Sequence, residues 1–246
     1  MRKAVLTRLD SLDYAGTESL NTICSNLSFS GHQIKKIILT SASAGQGKSF
    51  LTMQILRNFA RRGKRAVLVD TDLRRSYFIK RFGFKTEGEV LGLTHYLAGF
   101  CDVNQVLYQT NIPGAYVIPA GRDVSNPIPL LDSPQFGALM DQLAESFDVV
   151  LVDAPPIGLV IDAAEVAKHC DGTVFVVEYN VTHRRELQEA QRQINQAGCP
   201  ILGCIINKVS LDTYSAKKYY SKSYYSNHYE GDGGESLTSH GKKKRS

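Results

Sequence analysis

Nine consecutive residues, Ser41-Ala42-Ser43-Ala44-Gly45-Gln46-Gly47-Lys48-Ser49, place two glycines, a lysine and a hydroxyl at a spacing suited to holding phosphate. Glycine takes positive φ at little steric cost, so Gly45 and Gly47 let successive backbone N–H groups turn toward one anion. A helix starting beside them adds its partial positive charge and unpaired N–H groups. Lys48 supplies a full charge for the β- and γ-phosphates, and Ser49 a hydroxyl for Mg²⁺. Ser43, Ala44, Gly45, Gln46, Gly47, Lys48, Ser49 and Phe50 form the candidate nucleotide-binding set. Ala42 replaces the usual first glycine and is small enough to fit.

Carboxylates recur where such a site needs oxygen ligands for Mg²⁺. Asp70 and Asp72 close the apolar run Ala66-Val67-Leu68-Val69, and Asp153 closes Val149-Val150-Leu151-Val152. Acids at the carboxyl ends of parallel strands face the ligand crevice. Asp70 and Asp72 share a side if the strand continues past Asp70. Asp153 is expected to hold Mg²⁺ beside Ser49. Asn207, after Ile201–Ile206, fits two roles equally: reading an adenine edge or capping the loop.

The elements that must position these groups alternate. Lys36–Thr40 reads as a strand, the stretch from Phe50 to Ala60 as a helix ended by Gly63-Lys64, and Arg65–Val69 as a second strand. A helix between two such strands implies a right-handed crossover and a parallel sheet. Further strands are expected at Ala115–Pro119, Phe147–Asp153, Thr173–Val177 and Ile201–Ile206. Helices are expected at Glu18–Phe29, Gly92–Gly99, from Ser133-Pro134 to Ser146, at Asp162–Cys170, and from a Thr182 cap to Ala197. Residues 1–17 look weakly patterned, 76–112 look like short helices and loops, and Asn126–Pro129 stops regular structure. The fold class is α/β: a P-loop NTPase with a mostly parallel central sheet, helices on both faces and a flexible Tyr-rich C-terminal tail. The divisions are 1–30, an N-terminal segment with an interface helix; 31–212, the nucleotide-binding domain; and 213–246, the tail.

The 246 residues suffice for one such domain with a large core. No stretch approaches the ~20 apolar residues of a membrane helix, and the N-terminus lacks a signal-peptide core. The five cysteines are scattered without a C-x-x-C pair and read as reduced thiols. Residues 214–246 hold seven Lys/Arg and three Asp/Glu, which is +4 of the chain's +5. The near-neutral remainder argues against a nucleic-acid-binding body.

The tail has its own chemistry. Tyr214, Tyr219, Tyr220, Tyr224, Tyr225 and Tyr229 are half of the chain's 12 tyrosines, interleaved with Lys and Ser. No period organises them and no aliphatic partners accompany them, so the segment reads as flexible. An aromatic tail that stacks on a partner is the other reading. Lys242-Lys243-Lys244-Arg245 fits a solvated end and an anionic-membrane contact alike.

The loop ending Gly45-Gln46-Gly47-Lys48-Ser49, the motif Val67–Arg74, the run Val149–Pro156 and the terminal tyrosines together resemble the bacterial tyrosine kinases of capsule and exopolysaccharide export, over roughly Glu18 to Tyr229. The resemblance implies an ATP- and Mg²⁺-dependent autokinase, with Lys48, Asp70, Asp72 and Asp153 catalytic. Ser49, Asp72 and Asp153 would be at the metal, and Asp70 would face the incoming hydroxyl. The six tail tyrosines would be the acceptors, in trans. It also implies a separate transmembrane activator, self-association, a tyrosine phosphatase partner, and a cytoplasmic protein recruited to the inner membrane face. Each tail phosphate would add about −1.5 to −2 charge and repel the tail from a carboxylate-rich site, driving a cycle of assembly and release. One departure stands out: the interface motif Glu-x-x-Arg-x-x-Arg reads Glu18-Ser19-Leu20-Asn21-Thr22-Ile23-Cys24 here. Two rivals remain. A switch ATPase of the partition and division-site type carries an extra lysine where Ser43 stands. A nucleotide-sensing scaffold would bind ATP without catalysis.

Overall fold

The computed structural model describes residues 1–31 and 33–209; the tail tyrosines and the terminal basic run lie outside the described residues. The chain opens with strand β1 (Arg2–Leu6) and helix α1 (Tyr14–Phe29), then β2 (Lys36–Thr40), α2 (Lys48–Arg61) and β3 (Ala66–Asp70). Short elements follow: α3 (Phe78–Phe82), β4 (Phe84–Thr86), α4 (Leu93–Leu97), α5 (Val103–Val106), β5 (Tyr108–Gln109) and β6 (Ala115–Ile118). The last part holds α6 (Ile128–Leu131), α7 (Pro134–Ser146), β7 (Val149–Asp153), α8 (Asp162–Ala167), β8 (Gly172–Glu178), α9 (Arg184–Gln196) and β9 (Ile201–Asn207).

Among the described residues the strands form one nine-stranded sheet, ordered β4-β1-β5-β6-β3-β7-β2-β8-β9. Its centre is parallel: β3 pairs with β6 and β7, β2 with β7 and β8, and β8 with β9. Only β1–β4 and β5–β6 run antiparallel among the described residues. β3 and β7 are buried at every position, as parallel strands covered on both faces must be. Alternate side chains feed two cores. Ile38, Val67, Val69, Val150 and Val152 meet α7, α8 and α9 on one face. Ile37, Leu39, Leu68 and Leu151 meet α1 and α2 on the other. The expected α/β architecture, with helices on both faces of a mostly parallel sheet, is therefore what the chain builds.

Several boundaries differ from expectation. Residues 1–17 contain β1, of which only Ala4 and Leu6 are buried. α1 starts at Tyr14 rather than Glu18, because the Asp13 carboxylate accepts the Gly16 N–H (2.8 Å) as its N-cap. The region 76–112 includes β4 and β5 as well as short helices. α6 begins beside Pro127 and carries Pro129 in its first turn, where a missing N–H costs nothing. α9 starts at Arg184 after His183, so Thr182 does not cap it. At Ser133 expectation and structure agree: its hydroxyl accepts the Phe136 N–H (3.2 Å).

Candidate active site

The loop between β2 and α2 turns through two left-handed glycines, Gly45 (φ 77°) and Gly47 (φ 92°). At Gly47 a side chain is also excluded by contact, since an added Cβ would lie 2.2 Å from Asn207 Nδ2. Neighbouring segments hold the loop. Ile157 N–H donates to the Ser41 carbonyl (2.9 Å), and an added Cβ at Gly158 would lie 2.2 Å from the Ala42 carbonyl oxygen. Asn207 Nδ2 donates to the Gln46 carbonyl (2.9 Å). Gln46 Nε2 donates to the Thr182 hydroxyl, which also accepts the Glu178 N–H (3.1 Å). Ser43 donates to Glu186 Oε2 (3.1 Å). Ala44 and Gly45 stay exposed at the outer bend.

Lys48 opens α2 with its side chain buried, and its ammonium donates to Ser41 Oγ (3.1 Å). Burial lowers its pKa, while Asp153 and Asp72 pull the other way. Lys48, Ser49, Asp70, Asp72 and Asp153 line one cavity of about 60 Å³. Asp70 and Asp153 are direct partners in the β3–β7 register. The strand ends at Asp70 and the chain turns there, with Asp72 N–H donating back to Asp70 Oδ1 (3.2 Å). The cavity nevertheless takes both aspartates, together with Asp153. Asn207 and Phe50 do not line it; Phe50 lies under the Arg81 guanidinium, 5.7 Å from its ring centroid.

The acids are held in unusual states. Burial, then the neighbouring Asp153, push Asp70 up to about 8, against the hydroxyl of Ser76, which donates to it. Burial pushes Asp153 up to about 6, against Ser49 and Lys48. Asp72 is raised by burial, offset by the Arg75 N–H and by Lys48. Asp153 Oδ1 is buried with no hydrogen-bond partner among the described residues. A buried acceptor left open beside an ammonium and a hydroxyl fits a hard cation in that space. Asp70, Asp72 and Asp153 share the cavity, yet no three His, Cys, Asp or Glu side chains among the described residues are placed to hold a metal ion by themselves. Mg²⁺ suits that arrangement, since it is bound through one or two carboxylates plus phosphates and water.

Sequence reasoning missed the supports. Arg74 grips the fully buried Asp162 through Nε (2.7 Å) and Nη2 (2.9 Å), and its Nη1 holds the Ser125 carbonyl (2.7 Å). That clamp fixes the turn carrying Asp72. Thr182 and Glu186 lie 136 and 143 positions from their partners, too far for spacing to reveal them, and Ser76 reaches Asp70 only because the chain turns back after β3.

Comparison with known proteins places this geometry. Residues 37–225 match the model of the CobQ/CobB/MinD/ParA nucleotide binding domain family. The tyrosine-protein kinase CpsD of Streptococcus agalactiae serotype Ia is 37% identical over 193 residues, covering 78% of this chain and 82% of that one. The kinase domain of Escherichia coli tyrosine kinase ETK is 27% identical, with a TM-score of 0.72 over 78% of this chain and 77% of that one. The septum site-determining protein MinD of Pyrococcus horikoshii, solved with Mg-ADP, shares the fold with a TM-score of 0.62 at 20% identity, over 76% and 77% of the two chains.

Proposed function

This chain belongs to the CobQ/CobB/MinD/ParA nucleotide-binding domain family and, within it, to the bacterial tyrosine-protein kinases, and we propose that it moves the γ-phosphoryl group of ATP to tyrosines of its own C-terminal cluster, on a second copy. The observation that carries the reading is the meeting of Lys48, Ser49, Asp70, Asp72 and Asp153 in one cavity. In each transfer a tyrosine Oη–P bond forms, the bond from the γ-phosphorus to the β–γ bridging oxygen breaks, ADP leaves, and the phenolic proton goes to a base.

The loop N–H groups and the Lys48 ammonium hold the phosphates and offset charge on the transferring group. Ser49, Asp72 and Asp153 would hold Mg²⁺, which supplies charge neutralisation across the β- and γ-oxygens. Asp70 takes the proton. A phenol ionises near pH 10, so an ordinary carboxylate accepts its proton poorly. Burial raises Asp70 in the metal-free protein, making it a stronger base than an ordinary carboxylate, and a bound cation would favour the charged form that accepts the proton. Ser76 and the Asp72 N–H fix its orientation.

The resemblance supplies the setting: regulation of capsular or exopolysaccharide polymerisation and export, a separate transmembrane activator, a phosphatase that resets the tail, and recruitment to the cytoplasmic membrane face. No helix among the described residues is long and apolar enough to cross a membrane. Self-association uses contacts other than the family's two arginines. Asn21 at the first of those positions accepts from Asn58 of α2 (2.9 Å) and from Arg62 just past its end (3.1 Å), and Cys24 at the second is fully buried. The test is incubation with Mg·ATP, with and without the cytoplasmic segment of a candidate activator, followed by phosphotyrosine blotting. Wild type should label and Lys48→Met should not. Labelling of Lys48→Met under the same conditions would remove the assigned site.

A further inference from the structure

The chain leaving the cavity is strongly basic. Arg75, Ser76, Tyr77 and Phe78 line the cavity, α3 follows at once with Lys80 and Arg81, and β4 adds Lys85. Arg8 comes to the same corner: its guanidinium donates to the Lys80 carbonyl (3.3 Å) and its N–H to the Phe82 carbonyl (3.0 Å). All five cations are exposed. Among the described residues none of them forms an ion pair, whereas Arg74 is committed to Asp162. Like charges carried on one short exposed segment repel one another, so the arrangement is stabilised by an anion.

Two of the arginines are also preorganised. The Arg75 guanidinium lies over the Tyr77 ring, 5.3 Å from its centroid, and Arg81 lies 5.7 Å from both Phe50 and Phe82. A stacked guanidinium has lost much of its freedom yet keeps its N–H edge for a bidentate phosphate. Arg75 and Tyr77 themselves line the cavity, and Phe78 at the start of α3 borders it, so this segment adjoins the cavity. The unmodified segment 214–229 carries Lys217, Lys218 and Lys222 and no carboxylate, so such a face does not attract it. One phosphate changes that, adding about −1.5 to −2 charge and three strong acceptor oxygens.

We propose that the basic face of α3 and its flanks is a phosphotyrosine-holding subsite, which retains a modified tyrosine of a second copy's tail while another tyrosine of that tail enters the cavity. The proposal rests on the kinase reading above and names how its substrate is held. The spacing of the cluster suits it. Tyr220 and Tyr224 lie four residues apart, about 13–14 Å along an extended chain. α3, whose first residue borders the cavity, is about 7–8 Å long. A phosphate seated on α3 therefore leaves the neighbouring tyrosine within reach of Asp70. The carboxylates expel the product from the cavity, and the cations beside it catch it. The first transfer to a tail is slow and later ones are faster.

The test uses full-length protein stripped of phosphate by a tyrosine phosphatase that is then removed. Labelled peptides spanning residues 211–230, unmodified or phosphorylated at Tyr224, are titrated without ATP by fluorescence anisotropy, then offered as acceptors with Mg·ATP. The phosphorylated peptide is expected to bind about tenfold more tightly, with a matching fall in KM and no change in kcat. That advantage should shrink as ionic strength rises from about 0.05 to about 0.3 M. Lys80→Glu combined with Lys85→Glu should erase it, with an unchanged circular dichroism spectrum and melting temperature. Equal binding of the two peptides, or an advantage that survives the charge reversal, overturns the subsite even if both peptides accept phosphoryl groups. Displacement by inorganic phosphate as effective as by unlabelled phosphopeptide overturns its assignment to tail phosphotyrosine. Tight, reversal-sensitive binding without any transfer supports the subsite and overturns the kinase reading.

Discussion

Asp70 carries the most specific chemistry in the site and gives it a measurable signature. In metal-free protein burial and Asp153 push Asp70 up to about 8, and burial pushes Asp153 up to about 6. An unfolded carboxylate titrates near 4, so between about pH 4 and pH 8 the folded state binds more protons than the unfolded one. Stability conferred by these protonated acids is present at low pH and is lost as pH rises toward 8. The melting temperature of metal-free protein should fall between about pH 4 and pH 8, and Asp70→Asn should flatten the part between about pH 6 and pH 8, where Asp153 has largely lost its proton. A slope unaffected by the substitution would contradict the assigned burial. Mg·ADP should flatten it as well, because a cation beside the carboxylates favours their charged forms. Kinetically, Asp70→Asn should keep nucleotide affinity within a few-fold and lower the transfer rate by about 10²–10⁴. Equal loss of binding and rate would make Asp70 a binding residue rather than the base.

At the scale of elements, the turn after β3 depends on Arg74. Its bidentate hold on Asp162, which has no exposed side-chain surface, makes Arg74→Ala leave a buried carboxylate unpaired. The expected cost is about 3 kcal/mol in chemical denaturation. Asp162→Asn, which removes the charge together with its need for a partner, should cost less. Equal, near-zero costs would show that the clamp does not hold the turn. This clamp also shows where sequence reading stops. The phosphate loop and the strands ending in Asp70 and Asp153 were legible because their chemistry is contiguous: an apolar run, then the functional residue. β1 was not, since a five-residue strand with only two buried residues gives too short an alternation. Thr182 looked like a helix cap and instead holds Gln46 from 136 positions away. Asn207 could be read two ways from its strand end, and the 2.9 Å bond to the Gln46 carbonyl adds a loop contact that its position in the sequence did not reveal. The basic corner was invisible for the same reason, because Arg8 joins residues 75–85 only through the fold.

On the proposed reading, the whole molecule would pair a nucleotide site with acceptors in its own C-terminal segment. The tyrosine cluster lies outside the described residues, and the proposed transfer runs between two copies of the chain. Mixing active, tail-truncated protein with full-length Lys48→Met should therefore place phosphate on the inactive partner's tail, at a rate that rises with concentration. Labelling of full-length wild type at a rate independent of concentration would instead indicate transfer within one chain. The central claim is that this cavity passes phosphoryl groups to tyrosine. It is tested most directly by mass spectrometry of full-length protein after incubation with Mg·ATP and an activator segment. Phosphate should map to tyrosines within residues 214–229 in wild type and be absent in Lys48→Met. Release of inorganic phosphate with no phosphotyrosine anywhere in the chain would contradict the account and leave a switch ATPase in its place.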